Sequence, residues 1–236
     1  MASDLSHDAQ PEHGDDHHHD GHHGHQNDQG LSGALRYLRR LPRMWRSDIN
    51  DAVVDEVAPT AGERVVDIGA GMGAGAFRAA ATGAHVVAVE PTPFMRRMLQ
   101  ARRAVSRRRR HLEVAHGTAE RLPVEGRSID AIWAVNTMHH WSDVDLAVSE
   151  IVRVLGSGGR MLLIDEAFTD PTHPDHERFR TDEDQDHHHG FTMIDAEGLG
   201  ELFRSAGLTD VEAGADRLAG IPVIRITGIA ASTSGT

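Results

Sequence analysis

The sequence predicts an α/β protein of the doubly wound class, with a mostly parallel seven-stranded sheet that includes one antiparallel strand. Short apolar runs alternate with segments whose apolar residues recur at helical spacing, as far as residue 165. A glycine-rich turn follows the first of these runs, in Val65 to Gly73, as is typical of the strand–turn–helix unit of such sheets. Two apolar runs after the last helical segment predict a closing hairpin, which supplies the antiparallel strand.

The predicted strands and helices alternate along the chain. Strands are expected at 64–68, 84–90, 111–115, 129–135 and 160–165, around residue 211 and at 223–227, and helices at 51–57, 76–82, 94–105, 146–155 and 194–206. The amphipathic stretch 31–46 predicts a further helix or cap, interrupted by Pro42. Residues 156–159, three of them glycine, are expected to break the chain before the fifth strand.

Composition divides the chain into a tail and one domain. Of the 236 residues, the first 30 hold eight histidines, seven carboxylates and no Lys or Arg, so we expect residues 1–30 to be disordered. Residues 31–236 are expected to form the domain, with 31–60 as a helical cap and 166–195 as a lid over a substrate pocket. The lack of cysteine excludes disulfides and thiol chemistry, and no apolar run reaches the ~18 residues of a membrane span. We therefore expect a cytoplasmic protein, of an oligomeric state that the sequence does not reveal.

The glycine-rich turn and two acids predict a nucleoside site. Gly69, Gly71 and Gly73 let the backbone turn sharply and let a ligand approach closely. Glu90 ends the next strand, where an acid accepts hydrogen bonds from ribose hydroxyls. Asp67 would repel a pyrophosphate and favour a cationic ligand, which favours S-adenosylmethionine over a dinucleotide. The alternatives are that Asp67 merely satisfies turn amides and that the glycines form a plain tight turn.

At this point the chain resembles the class I S-adenosylmethionine-dependent methyltransferases, especially the small-molecule branch with the ubiquinone and menaquinone methylases. The resemblance rests on the turn and Glu90 and on four further segments: Gly117-Thr-Ala-Glu-Arg-Leu-Pro123, Ser128-Ile-Asp130, Val135-Asn-Thr-Met-His-His-Trp141 and the turn from Leu155 to Gly159. It implies methyl transfer to a small-molecule acceptor by in-line displacement. Thr118 stands where the family usually has Asp, and Ser157 where it often has Pro.

The resemblance also implies residues of the site. Ala119 and Glu120 would frame the adenine, and Asn136 would lie against the cofactor. His139 and His140 would point towards the substrate entrance, where one of them, with His140 favoured, would act as a base if the acceptor must lose a proton. The alternative is that His139 packs the edge of the sheet.

Histidine clusters suggest metal binding. His17, His18, His19, His22, His23 and His25 lie among carboxylates in the tail, a ligand set that suits nickel or zinc, so a metal-binding tail and a solvated extension are both open. The second cluster, 186–189, is preceded by His173 and His176. It is open to a metal site, polar contacts with substrate or a solvated loop.

Eight arginines between residues 96 and 110 have two possible interpretations. A nucleic-acid surface is one, but the run has no interleaved aromatic residues and the protein has a net charge of −12, so we favour a solvated helix face. Two rival functions follow. One is a non-catalytic metal-binding or regulatory protein that uses its histidines, and the other is an RNA or protein methylase that uses the arginines.

Overall fold

A seven-stranded sheet organises the protein in the computed structural model, which describes residues 48–179 and 195–232. The helices are α1 (Asp48–Val57), α2 (Ala74–Ala80), α3 (Pro93–Val105), α4 (Val144–Val154), α5 (His176–Phe179) and α6 (Ala196–Ser205), and the strands are β1 (Arg64–Ile68), β2 (His85–Val89), β3 (Leu112–Ala115), β4 (Ile129–Val135), β5 (Leu155–Glu166), β6 (Leu208–Leu218) and β7 (Ile221–Ala230). A short 3₁₀ turn, Met138–His140, follows β4.

The strand order is β3-β2-β1-β4-β5-β7-β6. Strands β1 to β5 pair in parallel, and β7 pairs antiparallel with both β5 and β6. The predicted fold class is therefore confirmed, with β7 as the antiparallel strand. The chain reverses its direction of winding between β1 and β4, and a doubly wound sheet opens a ligand crevice at that point, beyond the carboxyl ends of its strands.

Two apolar cores form on opposite faces of the sheet because successive side chains of a strand point to opposite faces. Val65 of β1 packs in the core beneath α1, α2 and α3, whereas Val66 packs in the core beneath α4 and α6. Asp67, two residues after Val65, points to the same face of the sheet as Val65. It therefore points towards the face of the first three helices, which decides its surroundings.

The fifth strand starts earlier than predicted. It begins at Leu155 and continues through the glycines that were expected to break the chain, so that prediction was wrong. The pairing with β4 is irregular between Ile129 and Ala131. A Cβ on Gly159 would lie 2.8 Å from the carbonyl oxygen of Ile129, so glycine allows this close backbone approach inside the strand.

An ion pair joins the start of β1 to β5 and α1. The Arg160 guanidinium donates to both carboxylate oxygens of Glu63, at 2.8 and 3.0 Å, and to the carbonyl oxygen of Val57 at the end of α1. The hydrogen bond from Arg160 lowers the pKa of Glu63 to about 2. The contact fixes the far end of the sheet, away from the carboxyl ends of the strands.

Some predicted features lie outside the described residues: the tail 1–30, the amphipathic stretch 31–46 and the second histidine cluster, 186–189. Within the described ranges, no helix combines the length and the apolar character needed to cross a bilayer.

We predict that Gly73→Ala lowers the free energy of unfolding by about 2–4 kcal/mol. Gly73 precedes α2 with φ +84°, and an added Cβ would lie 2.5 Å from Leu99 Cδ1, so backbone strain and overpacking add together. Gly62→Ala is the matched control, because Gly62 has φ +91° and nothing within 4 Å of its Cβ position, so we expect a loss of about 1 kcal/mol. Denaturant unfolding measures both, and equal losses would contradict the packing argument.

Candidate functional site

A cavity of about 760 Å³ opens beyond the carboxyl ends of β1, β2, β3 and β4. Its lining comes from the turns that follow these strands and from the start of the segment after β5: Ile68, Gly69, Gly71, Glu90, Pro91, Thr92, Met95, Thr118, Ala119, Glu120, Asn136, Thr137, His139, His140, Trp141, Ser142 and Phe168. The volume lies within the range of small-molecule sites. Eight of the ten residues predicted as catalytic or cofactor-binding line this one cavity.

The glycine-rich turn forms the floor of the cavity. Gly69 and Gly71 line it, with φ of +67° and +53°. A Cβ on Gly69 would overlap the side chain of Thr137, so only glycine allows the turn after β1 to contact the turn after β4. Gly73 does not line the cavity, since its Cβ position faces Leu99 and Phe77. Its role in the structure is to start α2.

Glu90 presents its carboxylate at the wall of the cavity. Oε2 accepts a hydrogen bond from the amide of Gly71 at 2.8 Å, and Oε1 accepts one from the amide of Thr92 at 2.8 Å. The residue is only 5% exposed, so these amides satisfy a carboxylate that burial would otherwise destabilise. The same contact links the glycine turn of β1 to the turn after β2.

Asp67 lies behind the glycine turn, on the face of the sheet that α1 and α2 cover. It is 3% exposed, and neither its Oδ2 nor the nearby indole N–H of Trp133 has a hydrogen-bond partner among the described residues. Burial raises the pKa of the Asp67 carboxyl to about 8, the charge of Glu90 acts in the same direction as burial, and the amide of Ala76 partly offsets both. Asp67 is thus mostly protonated at neutral pH, and its predicted contact with a cationic ligand stays a prediction.

The turns after β3 and β4 meet through Glu120. Its Oε1 accepts hydrogen bonds from the amide and hydroxyl of Ser142, at 2.7 and 3.0 Å. Ala119 is buried beside it and also lines the cavity. These contacts place the predicted adenine segment against the end of the 3₁₀ turn, although no ligand contact follows from them.

Asn136 connects the ends of β4 and β5. It has φ +54°, its amide nitrogen donates to Glu166 Oε1 at 2.6 Å, and its Oδ1 accepts from the amide of Glu166 at 2.7 Å. The other carboxylate oxygen of Glu166 lies 3.0 Å from Nε2 of the buried His173. The amide of Asp175 donates to His173 Nδ1, so that ring is a neutral imidazole with its proton on Nε2.

The two histidines of the 3₁₀ turn differ in burial and partners. His139 is 7% exposed, and its Nδ1 lies 2.6 Å from Oδ2 of the buried Asp165. His140 is exposed and its ring packs 4.0 Å from that of His139. Both residues line the cavity. The resemblance favoured His140 as a base. The structure places the buried Asp165 carboxylate against His139, and the choice of base stays a prediction.

Three residues at this end of the sheet were not predicted: Asp165, Glu166 and Phe168. A signal for the acids was present, because β5 ends in Asp165-Glu166 just as β2 leads into Glu90. Phe168 lies in a polar segment without periodicity. Phe168 lines the cavity and packs edge-on against His173, with ring centroids 4.6 Å apart.

The arginine run begins beside the cavity and ends at the opposite end of the sheet. Helix α3 starts beside Glu90 and carries the run away from the cavity. Three of its arginines are held by backbone carbonyls: Arg96 by those of Glu90 and Pro91, Arg102 by that of Met72, and Arg103 by that of Leu112. Arg107 to Arg110 are exposed. These positions favour the solvated helix face over a surface that presents nucleic acid to the cavity.

The part of the chain that the structure describes contains no group of side chains suited to bind a metal ion. No set of three or more His, Asp or Glu side chains there is arranged to hold an ion. His173, part of the second predicted cluster, bonds to Glu166 instead. The six tail histidines lie outside the described residues, so their metal binding stays a prediction.

Comparisons with known proteins show which proteins this chain resembles. Residues 66–163 match a sequence family described as a methyltransferase domain. An uncharacterised methyltransferase of Mycobacterium tuberculosis is 39% identical over 111 residues, which cover 47% of this chain and 43% of that protein. A demethylmenaquinone methyltransferase of Clavibacter sepedonicus is 33% identical over 132 residues, which cover 56% and 50%.

Solved structures share the fold. A putative S-adenosyl-L-methionine-dependent methyltransferase from Methanococcus maripaludis superposes with a TM-score of 0.64 at 18% identity, covering 87% of this chain and 94% of that one. Phosphoethanolamine N-methyltransferase 2 of Haemonchus contortus, in complex with S-adenosyl-L-methionine, superposes at 0.62 and 17%, covering 78% and 52%. Residues 66–163 match a methyltransferase domain, and the predicted resemblance to the class I S-adenosylmethionine-dependent methyltransferases is confirmed. It spans about half the length of the curated relatives it matches.

We predict that Asp67→Asn stabilises the protein increasingly as pH rises from about 4 to about 8. A carboxyl whose pKa is raised by folding binds its proton more tightly in the folded state, so its contribution to stability falls with rising pH through this window. The slope is at most about 1.4 kcal/mol per pH unit for one group. Denaturant unfolding of both proteins across this range measures the difference, which is expected to be constant above pH 8. A difference independent of pH would show that Asp67 does not carry the shift.

Proposed function

We propose that the cavity binds S-adenosylmethionine and that the protein transfers its methyl group to a small-molecule acceptor. The observation that carries this proposal is the position of Glu90, whose buried carboxylate lines the cavity next to Gly69 and Gly71 at the switch point of the sheet. An acid in this place is suited to the two hydroxyls of a ribose. The family match of residues 66–163 supports the same donor.

The residues present fit this donor. Gly69 allows the turn after β1 to lie against Thr137 at the cavity, since a side chain there would overlap Thr137. Glu90 would hold the ribose by accepting hydrogen bonds from its hydroxyls. Its carboxylate oxygens would accept them either in place of, or in addition to, the hydrogen bonds from the amides of Gly71 and Thr92. Ala119, Glu120 and Asn136 line the adjacent walls and are the further candidates for contact with the donor. The bound donor supplies a methyl group on a sulfonium, an electrophile that needs only an aligned nucleophile.

Asp67 would act from behind the turn rather than in the cavity. A cationic group bound near the glycine amides would favour the ionised form of its carboxyl and draw off the proton that burial retains. Asp67 therefore supports the choice of a cationic donor through its charge. A direct contact is not required for this effect.

A small apolar acceptor fits the remaining walls of the cavity. Met95, Trp141 and Phe168 lie there, and they would exclude water from the reacting atoms. Demethylmenaquinone methyltransferase, by its name, acts on a quinone precursor, and its relationship to this chain supports an acceptor of small-molecule size. In an in-line displacement, the main tasks of the protein are to align the two reactants and to exclude water.

Calorimetry with S-adenosylmethionine and S-adenosylhomocysteine tests the donor site. We expect Glu90→Ala to weaken the binding of both ligands by about 10- to 100-fold, because hydrogen bonds to a charged group contribute about 1.5–3 kcal/mol. Glu90→Gln is expected to lose less, since its amide retains one acceptor for a ribose hydroxyl.

Glu113→Gln is the matched control. Glu113 is an exposed carboxylate of β3 that does not line the cavity, so its substitution should leave both affinities unchanged. Thermal melts of each variant check that the fold survives. Equal affinity of Glu90→Ala and the wild type would remove the ribose assignment, and no binding by the wild type would refute the proposed function.

A further inference from the structure

We propose that His139 is the general base of the methyl transfer, that Asp165 is its positioning residue, and that the acceptor is an apolar, ring-bearing hydroxyl compound. The inference rests on the proposed function, and it adds the class of acceptor and the residue that takes its proton. It is carried by the buried contact between the two side chains at the edge of the cavity.

Asp165 is held as a hydrogen-bond acceptor from several directions. Its Oδ1 accepts from the amides of Thr137 and Met138 at 2.9 and 3.3 Å, and its Oδ2 accepts from the amide of His139 at 3.2 Å and lies 2.6 Å from Nδ1 of the same residue. These partners are all donors when Nδ1 carries a proton, and together they suit an ionised carboxylate. Asp165 is only 3% exposed, and the burial of an acid is unfavourable unless such donors satisfy it.

The contact sets the tautomer of His139. A carboxylate at 2.6 Å favours the proton on Nδ1, which leaves the basic lone pair on Nε2. The Nδ1 edge of the ring is turned to Asp165 beneath the 3₁₀ turn, and His139 lines the cavity as well. Asp165 therefore orients the imidazole and stabilises the imidazolium that forms when Nε2 takes a proton.

The position of His139 relative to the glycine turn supports its role. Thr137, two residues earlier, is in contact with Gly69, so the 3₁₀ turn lies directly against the proposed donor site. Trp141 and Phe168 flank the same part of the cavity and provide apolar and aromatic walls. A ring-bearing acceptor that places its hydroxyl near His139 would therefore meet both the base and the donor.

The reaction balances without a further reactant. The hydroxyl proton passes to Nε2 of His139, an oxygen lone pair forms the bond to the methyl carbon, and the electron pair of the breaking carbon–sulfur bond stays on sulfur. The products are a methyl ether, S-adenosylhomocysteine and a protonated His139, which returns its proton to solvent. An acceptor already ionised in solution needs no base at this step.

A matched pair of acceptors tests the base. The probes are 2-naphthol, which keeps its proton at mildly alkaline pH, and naphthalene-2-thiol, which is largely ionised there. We expect the wild type to methylate both, His139→Gln to lower kcat with 2-naphthol by about 100-fold or more, and the same variant to change kcat with the thiol by less than about 5-fold. Asp165→Asn should reduce the rate with 2-naphthol more than with the thiol and leave the KM for the donor unchanged.

Two further variants sharpen this result. His140→Gln tests the rival base, and a larger selective loss with 2-naphthol in His140→Gln than in His139→Gln would overturn the proposal. His85→Gln is the control for removing an imidazole, since His85 starts β2 at the opposite end of the sheet and should leave both rates unchanged. Equal losses with both acceptors in His139→Gln would make the residue structural, and failure of the wild type to methylate 2-naphthol would refute the acceptor class.

The tautomer has a test that needs no acceptor. In ¹⁵N-histidine-labelled protein, the signals missing from His139→Gln identify the ring, and we expect a protonated Nδ1 and an unprotonated Nε2 at neutral pH. Asp165→Asn should shift the Nδ1 signal, and a proton on Nε2 would contradict the proposal. Calorimetry with S-adenosylmethionine distinguishes a wrong inference about the base from a wrong proposed function. If only the inference is wrong, the protein still binds the donor, and if the proposed function is wrong, it does not.

Discussion

Backbone amides at the carboxyl ends of neighbouring strands hold the buried acids around which the cavity is built. Glu90 accepts hydrogen bonds from the amides of two turns, and Asp165 accepts them from three amides of a single turn. An acid buried without such donors would be costly, so each turn adopts the shape that directs its amides to the carboxylate. The walls of the cavity are therefore set by the same hydrogen bonds that satisfy the buried acids.

The pleat of β1 separates two acids that stand close together. Asp67 shares its orientation with Val65 and lies in a region covered by helices, whereas Glu90 emerges after β2 and reaches the cavity. Burial without an amide partner for Oδ2 leaves Asp67 with a raised pKa. Two acids near one glycine turn thus differ in their surroundings, because Glu90 meets turn amides whereas Oδ2 of Asp67 has no hydrogen-bond partner among the described residues.

The family match covers only part of the cavity. The matched segment, 66–163, includes the glycine turn, Glu90 and the 3₁₀ turn, but it stops before Asp165, Phe168 and His173. The residues proposed to bind the donor therefore lie within the matched segment. The residues beyond the match bring the carboxylate of the proposed base and an aromatic wall, the features that we connect with the choice of acceptor.

The sequence by itself determined the order of the elements, the antiparallel strand, the glycine turn and the candidate Glu90, because these follow from periodicity and from residues close together in the chain. It placed the break before β5 wrongly, since glycines that usually end an element here permit a close backbone pairing with Ile129. Only the tertiary structure decided that His139 meets Asp165, 26 residues away, and that Gly69 meets Thr137. Those contacts depend on which strands become neighbours, β1 beside β4 and β4 beside β5, and strand order is a property of the packed sheet rather than of any local segment.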